Sequence, residues 1–228
     1  MKKVFIILMI LILSLATFLV ACGETSTTAG EFGILNENDP IVEILFNTGD
    51  KVRVELYPET APVSVKNFLK YVNDGFYNGL AFHRIIKGFM IQTGGFYQES
   101  NYMVQKPATY PAIYGEFKAN GCEYNTVQHL KGVISMARTQ VNNSATSQFF
   151  FCTVDNYPTL NDNYAPFGRV IDQESMDVLL KIEDIPTTTG VMVYDKESGQ
   201  GFYTPDMPTR IVSIQKITVI KNAPEANQ

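Results

Sequence analysis

The chain has 228 residues, is 45% hydrophobic and 18% charged, and carries a formal net charge of -5. That length and apolar content suit one domain with a real core and exclude a disordered chain. The acidic balance, without a basic stripe, excludes nucleic acid as the main partner, and the 3 cysteines are too few for a disulfide scaffold.

The N-terminus reads as a targeting segment. Lys2 and Lys3 precede an almost wholly apolar run from Val4 to Val20, which ends in Leu19-Val20-Ala21-Cys22-Gly23. A charged start, an apolar middle and a small-residue end build a secretory signal peptide, and the run falls short of the roughly 20 residues of a spanning helix. Its end resembles the lipobox of bacterial lipoproteins. The resemblance implies cleavage before Cys22 and lipid on that residue, hence an extracytoplasmic protein anchored at the outer face of the cell membrane or in the envelope. Removing Lys2 and Lys3 takes the net charge from -5 to -7. Residues 22–39 read as the lipidated N-terminus and a flexible tether of about 20–25 Å. Residues 40–222 form the expected domain, and 223–228 a tail.

Within the domain, Ile41 to Asn47 is mostly apolar, and Lys51 to Tyr57 alternates, with Val52, Val54 and Leu56 on one face. A Thr48-Gly49-Asp50 turn between them predicts an antiparallel hairpin. A helix follows over 62–73. Pro62 suits its first position, Thr60 or Ala61 its cap, and Val65, Phe68, Leu69 and Val72 form one apolar stripe. Phe82 to Phe96 reads as two strands meeting at a Lys87-Gly88 corner. Residues 97–128 lack a clear period and read as long loops with one short strand near Tyr114. Further strands are expected at 132–137, 147–153, 164–171 and 211–220, with a second helix over 175–182 and loops between. Residues 187–208 look like an inserted loop or hairpin. About eight strands and two helices without βα alternation predict an antiparallel barrel or sandwich.

The chemistry is narrowed by what is missing. The 2 histidines, His83 and His129, accompany no G-x-S-x-G elbow, no metal-ligand spacing and no phosphate loop. Cys152 sits among phenylalanines and reads as core, and Cys122 and Cys152 can pair or stay free. What remains is Arg84 with Gln92 and Gln148 and an apolar set of Phe89, Met90, Met136, Phe150 and Leu160. These groups do no acid–base or covalent work. They can bind an apolar side chain while a permanent cation faces an amide. An edge arginine reaching into water is the plainer alternative.

Here the chain resembles the cyclophilin peptidyl-prolyl isomerases. Phe82-His83-Arg84-Ile85-Ile86, Gly88-Phe89-Met90 and Gln92-Thr93-Gly94 look like their signature, as do Gly132 to Ala137 and Ser147-Gln148-Phe149-Phe150. Met136-Ala137-Arg138-Thr139 with Ser144 to Phe150 is similar to the bacterial branch, and Phe167-Gly168-Arg169-Val170 to a later strand. The resemblance runs from about Ile41 to Ile220. It implies a mainly all-β fold, a closed eight-stranded antiparallel barrel capped by two α-helices. It implies Arg84 as catalytic residue, a proline pocket of Phe89, Met90, Phe150 and Leu160, substrate-backbone contacts from Gln92 and Gln148, and main-chain contacts from Ala137 and Arg138. Thr159 and Tyr164 stand where many eukaryotic members carry tryptophan and histidine, which counts against strong cyclosporin binding. Arg138 replaces an asparagine, and Gly95 a common aspartate. The function implied is isomerisation of X-Pro bonds in exported proteins by a monomer needing no cofactor or metal. The alternative is a peptide-binding chaperone or surface module with little turnover.

Overall fold

The computed structural model describes residues 32–189, 192–195 and 199–222. The predicted signal peptide, Cys22, the first part of the tether and the tail at 223–228 lie outside the described residues.

β1 (Ile41–Phe46) and β2 (Lys51–Leu56) form the predicted hairpin. Val52, Val54 and Leu56 are buried, while Lys51 and Arg53 face out, with Lys51 Nζ 2.8 Å from Glu43. α1 (Pro62–Asn73) has the predicted bounds. Its Phe68 meets Tyr77, Phe149 and Phe167, the Phe149 ring edge-on at 5.4 Å. The predicted local cap is absent, since Ala61 offers no side-chain acceptor. The buried Glu116 takes its place: its carboxylate accepts from Val63 N–H at 2.9 Å and Ser64 N–H at 2.8 Å. A carboxylate satisfies the unpaired N–H groups of a helix start and suits its dipole.

β3 (Arg84–Ile86) and β4 (Met90–Thr93) follow, joined through Gly88, whose φ of +72° favours glycine. The long loop expected after them contains a hairpin, β5 (Phe96–Glu99) and β6 (Tyr102–Gln105). Then come β7 (Val133–Met136), β8 (Phe149–Cys152), the one-turn α2 (Tyr157–Leu160), β9 (Ala165–Val170) and α3 (Gln173–Glu183), capped by the Asp172 side chain accepting from Ser175 N–H at 2.7 Å. The insertion holds β10 (Thr187–Thr188), β11 (Met192–Asp195), β12 (Gln200–Tyr203) and β13 (Met207–Pro208), and β14 (Ile214–Lys221) ends the domain.

Eight strands make one curled antiparallel sheet, in the order β14-β1-β2-β9-β7-β8-β4-β3. The fold is mainly β, a half-barrel whose concave face buries the core with α1 and α3. Its ladder is open, with β3 and β14 at the edges, in place of the continuous closed barrel expected. Just ahead of these edges, Phe82 N–H donates to the Val212 carbonyl at 3.0 Å and Ile214 N–H to the Leu80 carbonyl at 2.8 Å. A second sheet, β12-β11-β6-β5, joins the insertion to the missed hairpin, with β11 parallel to β6. It has its own small core of Ala81, Phe96, Met103, Val193 and Met207. Periodicity could not show this sheet, because its strands are four residues long and come from two distant segments.

The tether expectation is corrected at its domain end. Leu35 and Asn36 donate their N–H groups to the buried Glu55 carboxylate at 2.8–3.0 Å, and Phe32 packs on the core under Arg169. Cys122 and Cys152 are both free and buried.

Candidate active site

The site grows from strand alternation. Phe149 and Phe151 of β8 point into the main core, while Phe150 and Cys152 point out of the sheet. There they meet Met90 and Leu160 in a separate cluster, flanked by Ile86, Phe89, Ala137 and Tyr164. Every apolar residue named for the proline pocket is thus in one cluster outside the main core.

Register places the polar groups beside it. Arg84 pairs with Gln92 and Gln92 with Phe150, so these three side chains share one cross-strand row on the outer face. Ile86, Met90 and Cys152 form the next row. Tyr164 stands edge-on to Phe150 at 5.6 Å, closing one side of the pocket. Behind Phe150, the His129 ring lies nearly parallel at 6.2 Å, its nitrogens within 2.9 Å of Asn161 Oδ1 and 3.0 Å of Ser135 Oγ. α2 delivers Leu160, with Leu160 N–H bonded to the Asn156 carbonyl at 3.1 Å. Phe89 is fixed through its carbonyl, which accepts from Thr153 N–H at 3.1 Å and from the Asn156 amide.

Next to the row lies a cavity of ≈ 240 Å³ bordered by Gln92, Gln105, Ala137, Arg138 and Gln148. Gln92 Nε2 donates to Gln148 Oε1 at 2.9 Å. The Ala137 N–H donates to the Gln148 carbonyl at 2.9 Å. Arg138 is held between the Phe117 and Tyr164 rings, 4.9 Å from each centroid, and its Nε donates to the Asn163 carbonyl at 2.9 Å. Arg84 itself is half-exposed, with Nε 3.7 Å from Asp206 Oδ2.

Burial takes both histidines and Cys152 out of acid–base and nucleophilic work. Burial lowers His83 to about 3 and His129 to about 4, so both rings are neutral near pH 7. His83 is buried with its ring tilted against Phe96 at 4.3 Å, behind Arg84 and Gln148. Burial raises the Cys152 thiol to about 12, which denies it the thiolate a nucleophile needs. The permanent positive charges at the site are the guanidinium groups of Arg84 and Arg138, next to an apolar pocket and two amides.

The structure brings together Arg84, Phe89, Met90, Gln92, Ala137, Arg138, Gln148, Phe150, Leu160 and Tyr164 on one outer face. It also adds two residues that the sequence did not single out, Gln105 from β6 and Asp206 from the insertion. Both belong to segments without periodicity, and no local pattern pointed to them.

Known proteins resemble the chain over the whole domain. The model of the family "Cyclophilin type peptidyl-prolyl cis-trans isomerase/CLD" matches residues 41–216. A peptidyl-prolyl cis-trans isomerase of Acinetobacter baylyi is 40% identical over 179 residues, 77% of this chain and 84% of that protein. Peptidyl-prolyl cis-trans isomerase A of Dickeya dadantii is 36% identical over 225 residues, 97% of this chain and 100% of the relative. A Cryptosporidium parvum cyclophilin type isomerase, crystallised in the presence of the dipeptide Ala-Pro, superposes with a TM-score of 0.57 at 27% identity, covering 80% of this chain and 99% of its own. The chain belongs to the cyclophilin-type peptidyl-prolyl cis-trans isomerases.

Proposed function

We propose that this isomerase turns X-Pro bonds with Arg84 as its catalytic group, the proline ring sitting between Phe89, Met90, Phe150 and Leu160. The observation that carries the reading is the shared row of Arg84, Gln92 and Phe150 beside an apolar cluster separate from the core. An X-Pro bond resists rotation by roughly 18–20 kcal/mol because its C–N bond is partly double. As the bond twists, the prolyl nitrogen becomes pyramidal and gains a lone pair. The guanidinium donates a hydrogen bond to that lone pair, an interaction absent from either planar ground state, so the gain falls on the transition state. Gln92 and Gln148, with the Ala137 and Arg138 main chain, hold the substrate backbone while the pocket fixes the ring. No proton moves and no covalent bond to the enzyme forms.

The substrates on this reading are proline-containing segments of unfolded exported proteins, and the enzyme assists their folding as a monomer. Cys22 carries the lipid that holds it outside the cytoplasm. The hydrogen bonds between residues 80–82 and 212–214 support closure of the curled sheet into a barrel. Isomerisation of an Ala-Pro tetrapeptide by wild type and Arg84→Ala tests the catalytic assignment. Labelled fatty acid incorporated by wild type and by Cys22→Ser tests the anchor, and equal labelling of the two sinks it.

A further inference from the structure

We propose that Asp206 is the positioning residue of the catalytic arginine, and that the insertion contributes to the site by holding it there. The inference rests on Arg84 being the catalytic group. Arg84 begins an edge strand of three residues, and its side chain is 41% exposed. A long side chain in that setting samples several rotamers, whereas donation to a twisting nitrogen needs one direction.

Asp206 supplies that direction. Its Oδ2 lies 3.7 Å from Arg84 Nε, the one ion pair of Arg84 among the described residues. At that distance the attraction restrains the guanidinium without using up a donor, and the Arg84 side chain makes no hydrogen bond to another described residue. Its terminal Nη groups keep their N–H bonds for substrate.

The backbone that carries the carboxylate is itself fixed on two sides. The Asp206 carbonyl accepts from Ile85 N–H at 2.8 Å, so one residue grips β3 through its peptide and through its charge. Its φ is +64°, a left-handed conformation that costs a non-glycine residue energy and is tolerated best by aspartate and asparagine. Immediately after it, Met207 is fully buried and Met207–Pro208 pairs with Thr187–Thr188. The strained backbone is therefore held by packing on one side and by β3 on the other, which aims the carboxylate at Arg84. A loop with no such role could adopt an unstrained turn.

The test is a double-mutant cycle on the full chain. Asp206→Asn keeps the backbone preference and removes the charge; Asp206→Gly accepts the same φ and removes the side chain. Both are expected to lower kcat by about 3- to 5-fold, the scale of a partly exposed ion pair, with KM and melting temperature unchanged. Asp206→Glu should recover part of the loss. In an Arg84→Ala background the Asp206→Asn change should have no further effect. Wild-type kcat in Asp206→Asn, with Arg84→Ala inactive, overturns this inference alone. A loss confined to KM or accompanied by a lower melting temperature overturns it in favour of a structural role. Wild-type kcat in Arg84→Ala overturns the catalytic reading and takes this inference with it.

Discussion

Gln92 Nε2 bonds Gln148 Oε1 at 2.9 Å, and that pair exists because residue 95 has no side chain. A Cβ placed on Gly95 would lie 2.6 Å from the Gln148 Cδ and Nε2 atoms. Gly95→Ala should therefore push the Gln148 amide aside, break its bond to Gln92 and raise KM several-fold. The backbone need not change, since residue 95 is not in the left-handed region. Peptide kinetics and a thermal melt check this; an unchanged KM would show that the amide pair does not hold substrate.

Neighbouring phenylalanines should behave differently. Phe151 is in the main core, and Phe151→Ala is expected to destabilise by about 3–5 kcal/mol. Phe150 lies in the outer cluster. Phe150→Ala should lower kcat/KM by at least about tenfold, since it removes a wall of the proline pocket, at a smaller loss of melting temperature than Phe151→Ala. Equal destabilisation with activity retained in Phe150→Ala would place the substrate elsewhere.

Activity should be nearly flat between pH 6 and 8. Arginine stays charged there, and both histidines are held neutral by burial, His83 at about 3 and His129 at about 4. Their effect on stability has the opposite reach. The unfolded chain, with ordinary histidines near 6.5, binds protons first as pH falls, so stability is full above about 6.5 and declines toward 4. Asp39 works the other way. Burial, with Glu55 and Glu59 nearby, raises it to about 6, so its contribution is present at low pH and is lost as pH rises through about 6. Asp39→Asn should raise the melting temperature at pH 7.5 and leave it nearly unchanged at pH 4. A steep kcat titration between pH 6 and 8 would contradict the non-proton mechanism.

The strap at residues 32–39 hangs on one carboxylate. Glu55 accepts N–H bonds from Leu35 and Asn36, and Glu55→Gln weakens charge-assisted bonds worth about 1.5–3 kcal/mol each way of counting. The variant should lose melting temperature and become cleavable within 32–39 under limited proteolysis, with kcat retained. Protection equal to wild type would mean that Phe32 alone holds the strap.

How much of this was legible beforehand follows the physics of each signal. The β1–β2 hairpin and α1 were readable because their periods are long and their turns carry Gly49 and Pro62. The pocket was readable by resemblance, since its residues fall within contiguous motifs. Alternation alone could not have told Phe150 from Phe149 and Phe151, because a continuous apolar run hides which face is outward. The Glu116 cap, the Glu55 strap and the Asp206 contact were invisible, each joining residues far apart in sequence through a single carboxylate. The second sheet was missed because one of its three pairings is a parallel one between the insertion and the segment after β4.

The most direct measurement is the rate of Ala-Pro isomerisation by wild type, Arg84→Ala and Arg84→Lys, with melting temperatures alongside. The account predicts a folded Arg84→Ala slowed at least about a hundredfold, on the scale of losing a transition-state donor, and little recovery with lysine, which lacks the planar fork. A folded Arg84→Ala at the wild-type rate would contradict it.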